Sequence, residues 1–404
     1  MPFARPMPDD SRRGRLTVAV SSLLLAAGVF VLDWDVRVLL LCYWLEAGFV
    51  VARDAVQSLF AARPPADAYR PSDTRAPFPL SALAAVRGGI EVAGLPPLYP
   101  RNVPHVLLTL LAFCALWPLA GLAVSGALGP APYASFPPGA FAAAAATFGV
   151  GQAIRLVEWG RTHEFETAAA TGGLTRRYLV FLVALAFAVP PVFAAAEASG
   201  VPDLVLGTCL VATRATYGLA EARHPGFVRS LVYTDETVGD ADPVETPDTD
   251  PVATHRTDPW GTTATAVLHG ALVSVLGPTA FLVLLAGLVG MTVGGAGFSR
   301  PALGAVAGAL CIVASRSLVA VLIEARVAEA PLVYRVHADA LVAHNGLTDA
   351  AQWVTPRATI TDATVSRTRL VPGADTVRVE CADGTSRTLR HVSNAEALAA
   401  RLAP

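Results

Sequence analysis

Residues Pro301–Val336 read PALGAVAGALCIVASRSLVAVLIEARVAEAPLVYRV. The first part, Pro301–Ile323, is an apolar run broken by a single charge, Arg316. At 1.5 Å per residue it is long enough for a hydrocarbon core of about 30 Å. Glu324 and Arg326 close the run. From Pro331 the pattern changes, and Leu332–Val336 is β-prone with alternating polarity. One boundary therefore separates a membrane-type helix from a β-rich region, and the rest of the chain can be sorted to either side of it.

Upstream of the boundary the apolar runs predict an all-α polytopic membrane bundle of about eight transmembrane helices. The expected spans are 16–32, 36–60, 103–124, 139–157, 178–196, 203–220, 262–293 and 301–323. The acidic, Pro- and Thr-rich stretch 235–258 reads as a disordered linker. Composition points the same way. Of 404 residues 53% are hydrophobic and only 15% charged, against about 25% charged in an ordinary soluble domain. The 30 basic residues are all Arg. They alternate between loops, with clusters at Arg12, Arg13 and Arg15, at Arg63–Arg101, at Arg161–Arg177, at Arg223–Arg256, and at Arg326 and Arg335. Under the positive-inside rule this predicts a multi-pass protein of the cell membrane with both termini cytoplasmic. The Arg12-Arg13 pair is read as a topology anchor, not an export signal, because a second apolar segment follows the first after a few residues.

Downstream, 331–404 is expected to be a small soluble domain. Ala340–Ala343, Thr359–Val365, Thr376–Cys381 and Thr385–Val392 are also β-prone. Ala382-Asp383-Gly384-Thr385 is a hairpin turn signal, and Ser393-Asn394-Ala395-Glu396 predicts the start of a terminal helix.

Two resemblances attach to these regions. The run Tyr43-Trp44-Leu45-Glu46, late in the first helical hairpin, resembles the signature of an uncharacterised membrane-protein family, domain of unknown function 6498. That signature is usually followed by Asn, where this chain has Ala47. The resemblance implies a membrane location and brings no known activity. The segment Tyr334–Leu402 is similar to bacterial pleckstrin-homology-like domains in its opening Tyr-Arg-Val strand, its late hairpin and its final Ser-Asn-Ala-Glu-Ala-Leu helix. This resemblance implies a cytosolic interaction module or assembly platform.

Charges inside spans are costly and tend to pair within a bundle. Here they form a candidate intramembrane network: Glu46, Arg155, Glu158, Arg214, Glu221, Arg316 and Glu324, with Arg53 and Asp54 beside Glu46. Thr213-Arg214…Glu221-Ala222-Arg223 and Ser315-Arg316…Glu324-Ala325-Arg326 share one pattern, which suggests helical-hairpin repeats. Glu46 and Arg214 are expected at one depth, facing each other. His163, Glu164, Glu166 and His224 lie just beyond helix ends, without the paired spacing of a metal motif, so no metal or cofactor is expected. The five cysteines include no C-x-x-C pair and read as small hydrophobes.

A net charge of −2 excludes a globally basic nucleic-acid binder. The expected partners are membrane lipids and a protein partner of the C-terminal domain. The leading functional reading is a non-enzymatic membrane scaffold or interaction protein. A small-solute or ion transporter using the midplane charges, and a membrane-embedded lipid-modifying enzyme, are the alternatives.

Overall fold

A computed structural model of the chain describes residues 36–64, 80–127, 138–168, 170, 244–276, 278–293, 299–367, 371 and 375–403. The chain divides into two compact units. One comprises residues 1–67 and 105–239, the other 68–104 and 240–404.

The first unit contains α1 (Val36–Phe60), α2 (Val103–Ala127, from His105 onward) and α3 (Pro138–Arg161). One stripe of α1 is buried: Ala47, Val50, Val51, Asp54, Ala55 and Ser58. This is the three-and-four spacing of a helix face. The stripe is apolar except at Asp54 and Ser58. On α3, Gly149 lies under the ring of Phe49, where an added Cβ would stand 3.1 Å from the ring. Beyond α1 the chain pairs with the segment after α3, through Ala62 N–H to Phe165 O and Arg63 N–H to Ala168 O at 2.9 and 3.0 Å.

The second unit joins helices to sheets. Strand β1 (Ala253–Arg256) leads into α4 (Pro259–Leu276), α5 (Pro278–Val293) and α6 (Arg300–Glu324). A π turn (Ala325–Glu329) then delivers the chain to β2 (Leu332–Val336), β3 (Ala340–Asn345) and β4 (Ala350–Pro356). These strands form an antiparallel sheet in the order β1-β2-β3-β4. A second antiparallel sheet, β5-β6-β7, uses Ile360–Ser366, Thr376–Cys381 and Ser386–Leu389, and α7 (Ala395–Leu402) follows it.

The β core forms where alternation and helix period meet. Val377, Val379 and Cys381 are buried while Arg378 and Glu380 are exposed. Helix α7 adds Ala395, Leu398, Ala399 and Leu402 from one face. The turn expected at Ala382–Thr385 joins β6 to β7. Gly384 holds φ +80°, and the Asp383 carboxylate accepts the Thr385 N–H at 2.9 Å. The start of α7 differs in detail: Asn394 stands at φ 62° and makes no side-chain cap.

The eight-span all-α bundle is corrected by this structure. The described residues contain seven α-helices and a β-rich C-terminal region. Among the described residues, two helical stretches are long and apolar enough to cross a membrane, Pro100–Leu122 and Leu303–Glu329. The reasons are local. The expected span 262–293 is two helices of 18 and 16 residues, parted at Pro278, whose ring cannot continue the hydrogen-bond ladder. They are about 27 and 24 Å long. The span 36–60 carries Glu46, Arg53 and Asp54, and 139–157 carries Arg155 with Glu158 and Arg161 close behind. Charges at the centre of a span raise its cost of insertion. The expected spans 16–32, 178–196 and 203–220 lie outside the described residues.

A further difference concerns 235–258, read from sequence as a disordered linker. Its last residues are ordered, and Ala253–Arg256 pairs with Val333–Val336 as the edge strand of the first sheet. The β region therefore draws a strand from before the helical segment 259–324 as well as those after it.

Candidate functional site

The candidate site is the junction between the helices and the first sheet. At the start of α4, the Asp258 carboxylate accepts the N–H groups of Trp260 and Gly261 at 3.2 and 2.9 Å. With Pro259 in the first helical position this is a capped helix start. The Asp258 N–H donates to His391 O at 2.6 Å, tying the cap to the chain beyond β7. Beyond the end of α6, the π turn closes through Ala330 N–H to Ala325 O at 2.7 Å. The buried Asn345 amide donates to Val327 O at 2.9 Å, while its oxygen accepts Leu347 N–H at 2.9 Å. Thr257 links the α4 start to this turn, its hydroxyl donating to Ala330 O at 2.6 Å.

Charge gathers at this junction. The Glu329 carboxylate takes the Arg390 guanidinium at 3.0 Å and lies 3.7 Å from His391 Nε2. Burial, then the Glu329 charge, pushes the Tyr334 phenol above its ordinary value. His391 is buried at φ 53°. Burial holds its imidazole below the usual range, against the pull of Glu329.

The segment 80–102 packs on the same unit. Arg87 is held through its backbone: its N–H donates to Gln352 Oε1 at 2.8 Å, and its carbonyl accepts Gln352 Nε2 and Thr348 Oγ1 at 3.1 and 2.7 Å. Gly88, at φ +83°, lies so close that a Cβ there would stand 2.6 Å from that of Ala350.

The residues singled out from sequence are distributed as follows. Glu324 is partly buried and accepts the Ala82 N–H at 2.9 Å, at the start of the short 3-10 turn Ser81–Ala85. Glu46 is partly buried on α1, while Arg155, Glu158 and Arg316 are exposed on their helices. Arg214, Glu221 and His224 lie outside the described residues, and with them the expected Glu46–Arg214 pair and one copy of the repeat. His163 and Glu166 form an exposed pair at 3.4 Å. Among the described residues, no group of three or more His, Cys, Asp or Glu is placed to hold a metal ion. What the structure does bring together is Arg53, which donates to Asp54 Oδ1 at 2.7 Å and to Gln152 Oε1 at 2.7 Å. Asp54 is fully buried, and its Oδ2 has no partner among the described residues.

The Tyr-Trp-Leu-Glu run has a clear structural role. Trp44 stacks on Trp117 of α2 with ring centroids 4.1 Å apart and planes 8° from parallel. Each indole N–H donates to the other tryptophan's carbonyl, at 2.8 and 3.0 Å. Gly48 and Gly121, one turn on, face the opposite rings. Sequence reading missed this pairing, although its signal was present: Trp44-Leu45-Glu46-Ala47-Gly48 and Trp117-Pro118-Leu119-Ala120-Gly121 share the pattern W-x-x-A-G.

The fold and junction define a protein with two potential membrane-crossing helices among its described residues and a β region built into its helical part. Residues 4–188 match the model of a family described as "Family of unknown function (DUF6498)", a stretch that includes Tyr43–Glu46. No curated protein and no solved structure matches the chain.

Proposed function

We propose that the chain is a non-enzymatic integral membrane protein whose β region is an interaction module of the pleckstrin-homology-like kind. The carrying observation is the junction, where β1 and β2 are each continuous with a helix and pinned by Asp258, Thr257, Asn345 and Glu329. Such a module is held at a set orientation, as suits a platform for a partner. The pleckstrin-homology-like reading is supported by antiparallel sheets of four and three strands followed by a C-terminal helix.

The membrane reading is supported by exposure. The most apolar stretch of Leu303–Glu329 buries none of its residues inside the protein, and that of Pro100–Leu122 only 17%. The core helix of a soluble protein would be mostly buried. Trp260, exposed in the first turn of α4, suits a membrane–water interface. Arg326 and Arg335, which follow the last span, favour a cytoplasmic β region.

The protein partner is taken at the edge strand β5, whose Asp362, Thr364 and Ser366 are exposed, by strand addition. The test is purification of the full chain from native membranes in mild detergent, followed by native mass measurement. A stoichiometric second protein is expected, trapped by a photo-crosslinker at Thr364 and not by one at Ser386 on the opposite edge. A chain that purifies alone and supports solute flux in proteoliposomes overturns the proposal. Flux is the second reading, and the buried Asp54 with its unpaired Oδ2 is the observation that favours it.

A further inference from the structure

The segment 80–102 is fixed at both ends where apolar helices stop or start. At one end, Ala82 is held by Glu324, the last residue of α6. At the other, Pro100 opens the apolar stretch Pro100–Leu122. Between them, Arg87 and Gly88 are held to the β3–β4 hairpin. Residues 90–98 then double back on themselves, with Ile90 and Leu98 exchanging two backbone hydrogen bonds of 2.7 and 2.9 Å. Gly94 turns the tip at φ +76°.

That tip has the wrong surface for water. Glu91 is the only charged residue between Gly88 and Pro100. Leu95 is 58% exposed and Val92 38%. Leu347, 41% exposed, sits on the β3–β4 turn beside Thr348, which bonds to Arg87. Outside the helices, these three and Val252 are the large aliphatic side chains that stand exposed among the described residues. Leu95 lies five residues before Pro100, within about 18 Å of the start of the span even if fully extended. Tyr99 and Arg101, with the guanidinium 5.2 Å from the ring centroid, are the residue types of a membrane–water boundary.

We infer that the 90–98 hairpin, with Leu347 beside it, rests in the headgroup region of the bilayer and seats the β region against the membrane surface. The occupant of this apolar face is lipid. The inference rests on the membrane reading proposed above. The argument is one of level. Both ends of the segment sit where apolar helices end, and the headgroup zone is about 5–8 Å deep on each side of the hydrocarbon. An apolar tip tied at that level finds acyl chains within reach.

The test uses the full chain in phosphatidylcholine vesicles, with the native cysteines replaced except where stated and Leu95→Cys carrying an environment-sensitive fluorophore. Native Cys311, exposed within the second span, is the depth control when retained alone, and Thr364→Cys is the aqueous control. The expected result is quenching of the Leu95 label by lipid carrying a spin label near the headgroup. Its iodide quenching should be about threefold weaker than at Thr364, as for an interfacial group. An iodide response equal to that at Thr364, with Cys311 quenched by deep spin labels, overturns the hairpin proposal and leaves the membrane reading standing. Iodide access to Cys311 overturns both. A second measurement uses the unaltered chain with a photoactivatable phosphatidylcholine. Adducts within 88–100 support the proposal, and adducts on α6 with none there overturn it.

Discussion

The packing of Trp44 against Trp117 makes a quantitative prediction about two glycines. Replacing Gly by Ala inside a helix is favoured by about 1 kcal/mol through backbone entropy alone. Gly151 on α3 shows the unopposed case, since an added Cβ there meets nothing within 4 Å. Gly151→Ala should therefore stabilise by about 0.5–1 kcal/mol. At Gly121 the new Cβ would stand 2.8 Å from Cζ2 and 3.0 Å from Cε2 of Trp44. The indole cannot retreat without leaving its 2.8 Å bond to Trp117 O and its 4.1 Å stack. Overpacking of this kind costs about 1–3 kcal/mol, so the net effect of Gly121→Ala is a loss of up to about 2 kcal/mol once the helix gain is subtracted. Gly48 is intermediate, with contacts of 3.1–3.2 Å to Trp117, and Gly48→Ala should be near neutral. Trp44→Phe and Trp117→Phe each remove one hydrogen bond, worth about 1 kcal/mol. They also weaken a shared stack, so the pair should show a coupling of about 0.5–1.5 kcal/mol in a double-mutant cycle. Hydrogen exchange on the full chain in nanodiscs, read at amides 44–51 and 117–121, measures the local opening free energy. The reasoning is refuted if Gly121→Ala behaves like Gly151→Ala, or if the two Phe substitutions add.

Three further predictions concern the second unit. Gln352→Leu removes both amide bonds to Arg87, about 2 kcal/mol at 1 kcal/mol each, and should speed tryptic cleavage after Arg87; an unchanged rate counts against the latch. Asp258→Ala deletes the α4 cap at about 1 kcal/mol, so the thermal midpoint of the full chain should fall, and an unaltered midpoint would show that the cap bears no load. Burial lowers the affinity of His391 for a proton in the folded state, with His255 and His344 shifted the same way. The unfolded chain then binds more protons, so stability is retained above the unfolded value near 6.5 and falls as pH drops below it. His391→Asn tolerates the positive φ and should flatten that slope; an unaltered acid slope would remove His391 from the account.

How much of this was legible depends on range. The β6 and β7 strands and their turn are written in local signals, alternation in Thr376–Cys381 and the Asp383-Gly384 pair, and they stand where expected. Strand β4 (Ala350–Pro356) was missed because Ala350-Ala351-Gln352 carries no alternation. Its partner β3, buried along its whole length, shapes it from outside. Strand β1 was hidden by its surroundings, four residues in an acidic Pro/Thr-rich stretch whose pairing partner lies some eighty residues downstream. Apolar length was overread. It counted residues and overlooked Pro278 within 262–293. Among the candidate site residues, Glu324 was recognised as a charge at a helix end, but its work in holding Ala82 could not be read from spacing, since the two are 242 residues apart.

The junction decides what kind of coupling a bound partner can exert. A module on a flexible tether would leave the helices indifferent to its load, because the tether absorbs any rotation as chain entropy. Here the first connection is Thr257-Asp258, and both residues are committed, Thr257 to Ala330 and Asp258 to His391. The second is a π turn, a geometry rarely sustained by itself and often associated with function. It is braced by Asn345 from β3 and by the Glu329 contacts from the chain after β7. Both sheets therefore hold the two helix ends, the first through β1, β2 and β3, the second through Arg390 and His391. A force that tilts one sheet against the other must either break charge-assisted bonds, at about 1.5–3 kcal/mol each, or turn α4 and α6. Glu329 is the residue on which the two alternatives meet. Its replacement by Gln should loosen the sheets from the helices without unfolding either, with faster hydrogen exchange confined to 325–332 and 389–393. Exchange accelerated evenly through the β core would instead make Glu329 a fold residue and refute its role as the coupling point.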